Sequence, residues 1–171
     1  MSRIALSSRD VAMKNVRRRY VPVGSTLVAA LLVLLPIVAD RPIVPDFAFI
    51  VLIAWRLLRP ELWPATMALP LGFFNDLVAG HPLGQSMALW TAMFLLLEFI
   101  DSRAMYRDFW MDWLLAVVLM LFYIAGGWAI AGMMGSKVEF AILWPQIVFS
   151  VLAYPLVARL VIGFDRWRLS R

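Results

Sequence analysis

Along this chain, long apolar runs alternate with short polar breaks. Six runs approach the ~20 residues that a helix needs to cross the ~30 Å hydrocarbon core of a bilayer. They cover 20–38, 43–58, 62–79, 83–100, 113–134 and 138–163. The breaks Asp40-Arg41-Pro42, Arg59-Pro60-Glu61, Gly80-His81-Pro82 and Gly135-Ser136 are turn or stop signals. The pattern predicts an all-α fold, a polytopic membrane helix bundle with six transmembrane helices over 20–165. A basic tail, 1–19, precedes it and a short basic tail, 166–171, follows. The run 43–58 is short, so it must thin the bilayer, snorkel its ends or begin as a partly re-entrant segment. No repeat and no soluble domain is visible.

Composition agrees with the pattern. The 171 residues are 63% hydrophobic and the mean hydropathy is +0.83, whereas soluble domains are roughly half apolar. With no cysteine, disulfides, iron–sulfur clusters and thiol catalysis are excluded. A single histidine, His81, argues against a protein-only zinc or haem site, and no metal is expected. The net charge of +5 comes from arginines beside apolar runs, which points to anionic lipid rather than nucleic acid. Arg17-Arg18-Arg19 precedes a run longer than a signal core, and Ile37 and Ala39 make no A-x-A cleavage site. That run reads as an uncleaved first helix.

Charge also gives direction. If an even number of spans puts both termini on one side, that side carries Arg3, Arg9, Lys14 and Arg17–Arg19, then Arg56 and Arg59, Arg103 and Arg107, and Arg159, Arg166, Arg168 and Arg171. Only Arg41 and Lys137 fall on the other side. Positive charge marks the cytoplasmic side, so both termini are predicted to be cytoplasmic. Trp55, Trp63, Trp110, Trp113 and Trp167 then form an interfacial belt at that face.

The candidate chemistry lies in a few polar residues. Asp76 falls one turn from the outer, C-terminal end of the third run, where helix carbonyls disfavour a carboxylate. The Gly80–Gly84 turn brings the first amides of the fourth run back toward it, and a helix N-terminus is a ready anion site. Asp76 is expected to tie the two runs together, with Asn75 and Gln85 as co-donors and Arg41 as a rival partner. A proton or ligand site is the competing role. Gly72, Asp76 and Gly80 share one helix face, and glycines there let a neighbouring backbone come close. Asp46, after Pro45, suits a helix start. His81 reads as an interfacial loop residue, with a proton shuttle to Asp76 as its alternative. Arg56, Arg59, Glu98, Asp101 and Arg103 should form a cytoplasmic ion network. Gly127, Ala131 and Gly135 recur every four residues as a small-residue packing face, either internal or for a partner helix.

No enzyme template is complete. H-E-x-x-H, G-x-S-x-G, a P-loop and a dinucleotide fingerprint are all missing. Gly72 to Asp76 has the G-x-x-x-D spacing of membrane phospho-alcohol transferases without its flanking residues. The stretches VPDFAFIVLIAWRLLRP and GFFNDLVAGHPLGQSMALWT do resemble a known family, MreD, of the bacterial rod-shape system. The matching features are Pro45-Asp46 before a span ending in Trp55, then Gly72, Asp76-Leu77, Gly80 and Leu83-Gly84. Length and span number also agree; the basic N-terminal tail is an extension. The resemblance implies a non-enzymatic, multi-pass scaffold of the bacterial inner membrane, without cofactor, that helps organise peptidoglycan synthesis and cell shape. It implies MreC as partner, with RodA, the elongation-specific penicillin-binding protein and MreB filaments in the wider complex. It also implies a fold similar to the substrate-binding membrane component of vitamin transporters. That likeness carries an alternative function, a small-ligand-binding component of a transporter, with a pocket near Asp46, Asp76 and His81.

Overall fold

The computed structural model describes residues 8–35, 44–103 and 108–169, with backbone only for 8–19. The break at Asp40-Arg41-Pro42, the end of the first run, Arg41 as partner of Asp76, Arg107 and the ends of both tails lie outside the described residues.

Among the described residues six α-helices follow one another: α1 (Ser8–Leu31), α2 (Phe47–Leu58), α3 (Ala68–Ala79), α4 (Gln85–Asp101), α5 (Phe109–Met133) and α6 (Trp144–Leu169). The described residues contain no strand. Each apolar run holds one helix, but the lengths differ from expectation. Among the described residues, only Phe109–Met133 and Phe140–Leu169 are helical stretches long and apolar enough to cross a membrane unaided. α2 has 12 residues, which is about 18 Å at ~1.5 Å per residue. α3 is equally short because Pro60 and Pro64 divide the start of its run into 3-10 turns, Pro60–Leu62 and Ala65–Met67. A proline lacks the amide that would continue a helix and restricts the residue before it.

The short α2 is the core of the bundle. Ala48, Phe49, Ile50 and Leu52 through Leu57 are all buried. A helix apolar around its whole circumference is stable only when covered, and α1, α5 and α6 pack around it while α3 lies along α4. Phe49 stacks on Tyr123 of α5 at 4.3 Å and on Trp90 of α4 at 5.9 Å between ring centroids. Trp55 and Trp63 are core residues rather than members of an interfacial belt. Trp55 is placed inward by its position on α2, where its Nε1 donates to Ser25 Oγ at 2.8 Å. Trp110 and Trp167 remain exposed.

The outside is apolar. Leu152, Leu156 and Leu160 form an exposed stripe on α6, Leu114, Val118 and Phe122 one on α5, and Leu69, Phe73 and Leu77 one on α3. Soluble monomers rarely expose contiguous apolar patches larger than a few hundred Å², whereas lipid covers such a surface without cost. Thr26 and Ser150 bond carbonyls of their own helices, and the other buried polar side chains gather in two layers, one at each end of α2.

Candidate functional site

One layer joins the start of α2, the end of α3, the start of α4 and the C-terminal half of α5. Asp76, 1% exposed, accepts the Gly84 N–H at 2.9 Å through Oδ2 and the Ser86 N–H at 2.8 Å through Oδ1. These are among the first amides of α4, so a carboxylate on α3 caps a different helix. The local fold makes this reachable. Gly80 ends α3 in the left-handed region (φ 69°), and the Gly80 and His81 amides both bond the Asp76 carbonyl. Gly84 is left-handed too (φ 95°), a conformation that L side chains adopt only with strain. Gly72, one turn before Asp76, packs against α4 so closely that a Cβ there would stand 2.6 Å from the Cα and N of Met87.

Asp46 caps α2 in the local way. Its Oδ1 accepts the Phe49 N–H at 3.0 Å. Its Oδ2 accepts the Tyr123 hydroxyl at 2.8 Å and the Asn75 amide at 3.1 Å. Asn75 also donates to Ser86 Oγ at 3.2 Å, and Ser86 Oγ lies 3.0 Å from Tyr123 Oη. The protons follow from what each group can do. A carboxylate only accepts, so the one Tyr123 proton goes to Asp46, and Ser86 must donate to the Tyr123 oxygen. His81 Nδ1, 3.4 Å from Ser86 Oγ and 3.9 Å from Asp76 Oδ1, is therefore the donor in its contact with Ser86, an assignment from the network rather than from visible hydrogens. This leaves the other ring nitrogen, Nε2, without a role in the network.

Asn75 thus serves Asp46 and Ser86, not Asp76, and Gln85 bonds neither carboxylate. The Gln85 amide instead lies over α5, 3.1 Å from where a Cβ on Gly127 would be. Gly127 and Ala131 line a cleft of about 470 Å³ that Asp46, His81, Gln85 and Gln146 also border. Gly135 belongs to neither face. It follows the end of α5 at φ 94°, with the Gly135 amide bonded to the Gly132 carbonyl and the Ser136 amide to the Ala131 carbonyl. This is a left-handed helix stop, which needs glycine for its backbone and not for its size.

The opposite layer is ionic. It holds an Arg56–Asp101 pair and a cluster in which Asp165 joins Arg59 to Arg168. Arg56, 2% exposed, donates through Nη1 to Asp101 Oδ2 at 2.8 Å and lies 5.8 Å from the Phe94 ring centre. Arg59 binds Asp165 Oδ2 through Nε and Nη2 at 3.1 and 2.8 Å. The other oxygen of Asp165 holds Arg168, whose guanidinium lies over Trp55 at 5.4 Å. The hydrogen bond to Asp165 is the largest influence on Arg59 and raises its already high pKa against the effect of burial. Glu98 accepts the Ala65 N–H at 2.9 Å, tying α4 to the 3-10 turn before α3. Arg103 stacks over Phe99 at 5.2 Å.

Sequence reasoning overlooked Tyr123, Ser86, Asp165 and Arg168 as members of these layers. Tyr123 gave a signal, a hydroxyl within the apolar run 113–134. Asp165 gave another, the one acid among the arginines that follow the last run. Among the described residues, no group of three or more acidic or histidine side chains is placed to hold a metal.

Comparison with known proteins gives one match. The family model described as rod shape-determining protein MreD matches residues 20–164. No curated protein and no solved structure matches the chain.

Proposed function

The chain belongs to the MreD family, a membrane protein family of rod-shape determination, and from that premise we propose that it is a non-enzymatic scaffold that holds MreC in the cell-wall elongation complex. RodA, the elongation-specific penicillin-binding protein and MreB filaments are the wider company, and organised peptidoglycan insertion is the outcome. The observation that carries the reading is the family match over 20–164. The architecture supports it. Both polar layers are spent on joining helices, as Asp76 joins α3 to α4 and Asp165 joins the end of α2 to α6. The long α5 and α6 meanwhile present apolar stripes to lipid or to a partner's membrane helix.

Depletion in a rod-shaped host should give rounded cells that still make wall, and MreC should be captured with the tagged protein from native membranes. Cells that kept their rod shape, or capture of the protein without MreC, would overturn the scaffold. Gly127→Leu adds a test of the contact. A Cβ at this position meets only the flexible Gln85 amide, and the rest of the side chain can extend into the cleft, so abundance should hold. A fall in MreC capture would then place the partner helix on this face.

The proposed orientation has six spans in the inner membrane, with both termini cytoplasmic, the Asp46–Asp76 layer outside and the Arg56–Asp165 layer inside. The short α2 fits it as a covered inner helix, because protein rather than lipid surrounds it. Single cysteines at Ser136 and Ser170 in this cysteine-free chain should label from outside at the first position only. The reverse pattern would refute the orientation.

The 470 Å³ cleft favours a second reading, in which the bundle also binds a small ligand at its outer end, as a transporter component would.

A further inference from the structure

The cleft lies between the start of α4, the C-terminal half of α5 and the start of α6. Its volume, about 470 Å³, falls within the ~300–1,000 Å³ of ordinary small-molecule sites. Its walls restrict what it can hold. No lysine or arginine lines it among the described residues, while Asp46 does, and Asp76 lies behind the network. A phosphate or carboxylate would meet negative charge without a counter-ion among the described residues. A cation gains little either. Asp46 already accepts three hydrogen bonds and sits at the positive N-terminus of α2.

The groups left open are one amide that both donates and accepts and two further polar atoms. The Gln85 side chain has no hydrogen-bond partner among the described residues and offers both a donor and an acceptor. Gln146 uses its Nε2 on the Val44 carbonyl, at a long 3.3 Å, which leaves its oxygen free. His81 has no partner for Nε2 among the described residues. Hydroxyl groups are their natural complement, because each hydroxyl also donates and accepts. Beside them stands the Trp128 ring, 41% exposed. Its orientation is held by the bond from its Nε1 to the Val138 carbonyl at 2.8 Å and by edge-on contact with Phe140. A fixed aromatic face beside amides and an imidazole suits a ligand with an apolar ring face and a rim of hydroxyls.

We propose that this cleft binds a neutral saccharide ring, with Gln85, Gln146 and His81 meeting its hydroxyls and Trp128 covering its C–H face. The inference rests on the second reading above, that the cleft is a ligand site. The ring can arrive free in solution or as the head of a glycolipid, since exposed Met134 at the rim of the cleft borders the lipid-facing surface.

The test uses the full chain, extracted without glycoside detergent and placed in phosphatidylcholine nanodiscs. Four probes are compared: methyl β-glucoside by saturation-transfer NMR, and diglucosyl diacylglycerol, phosphatidylglycerol and dodecyltrimethylammonium by native mass spectrometry. Gln85→Leu removes a side chain that holds nothing else, so its thermal stability serves as the control for folding. The expected result is saturation transfer from the glucoside, or retention of the glycolipid about tenfold above phosphatidylglycerol, reduced about tenfold by Gln85→Leu at unchanged stability. Signal from the glucoside identifies a free sugar as sufficient, and retention of the glycolipid alone identifies a headgroup. Preferential retention of the ammonium, lost in Gln85→Leu, would overturn the saccharide and leave the cleft a ligand site. Binding by no probe, or binding insensitive to Gln85→Leu, would overturn the saccharide together with the ligand reading of the cleft.

Discussion

Asp76→Leu is expected to remove most of the folded protein from the membrane. The carboxylate is 1% exposed and accepts two backbone amides of α4, at 2.8 and 2.9 Å. Leucine would leave both donors buried and unmet, at about 1–3 kcal/mol each. It would also remove the negative charge from a helix N-terminus. Asn is the informative comparison. Its side chain offers one acceptor oxygen and one NH₂, and the two amides approach different oxygens of Asp76, so Asn keeps one bond and sets a donor against a donor at the other. Membrane abundance and thermal unfolding of the purified protein should therefore rank wild type above Asp76→Asn above Asp76→Leu. Full stability in both variants, with cell shape lost, would assign Asp76 to chemistry instead of to the tie.

The second large effect is at Gly72. A Cβ there would lie 2.6 Å from the Cα and N of Met87 and 2.8 Å from the Ser86 carbonyl carbon. These are backbone atoms and cannot turn aside as a side chain can, so α3 and α4 must separate even for Gly72→Ala. Overpacking alone costs about 1–3 kcal/mol. Separation also pulls Asp76 away from the Gly84 and Ser86 amides, so the two losses share one interface and should not add. The double variant Gly72→Ala, Asp76→Leu is expected to be little worse than the more damaging single change. Two other glycines calibrate the measurement. Gly80→Ala meets no neighbour but must hold φ 69°, a cost of about 1–2 kcal/mol. Gly132→Ala meets nothing and lies within α5, so it should be neutral or raise stability by up to about 1 kcal/mol. Unfolding temperatures should fall most for Gly72→Ala, less for Gly80→Ala and not at all for Gly132→Ala. Equal effects at Gly72 and Gly132 would mean that the helices are not in the close contact described.

The sequence alone determined the all-helical class, the six helices of the described residues, and the turns at Pro60, Gly80 and Gly135. These depend on local quantities: the length of an apolar run, a proline without an amide, a glycine able to turn left-handed. The resemblance to MreD was readable for the same reason, because its motif lies in two short contiguous stretches, one around Pro45-Asp46 and one from Gly72 to Gly84. Local signals also pointed to Asp76, since the turn returns the next helix start to the same end within ten residues, and to Asp46, whose cap reaches only three residues forward.

Only the tertiary structure decided the rest. Nothing in the composition of run 43–58 says that α2 is a covered core helix, because an apolar residue satisfies lipid and protein interior equally. The same ambiguity hid Trp55 and Trp63 in the core when their charge context suggested an interface. Tyr123 meets Asp46 across 77 positions and Arg59 meets Asp165 across 106, distances at which no sequence periodicity carries information. The glycines divide along the same line. Gly135 and Gly127 look alike at four-residue spacing, yet one ends α5 through its backbone angle and the other makes room for Gln85. Spacing can tell that a side chain is absent, but whether that absence serves a turn, a contact or a cleft depends on what the folded chain brings beside it.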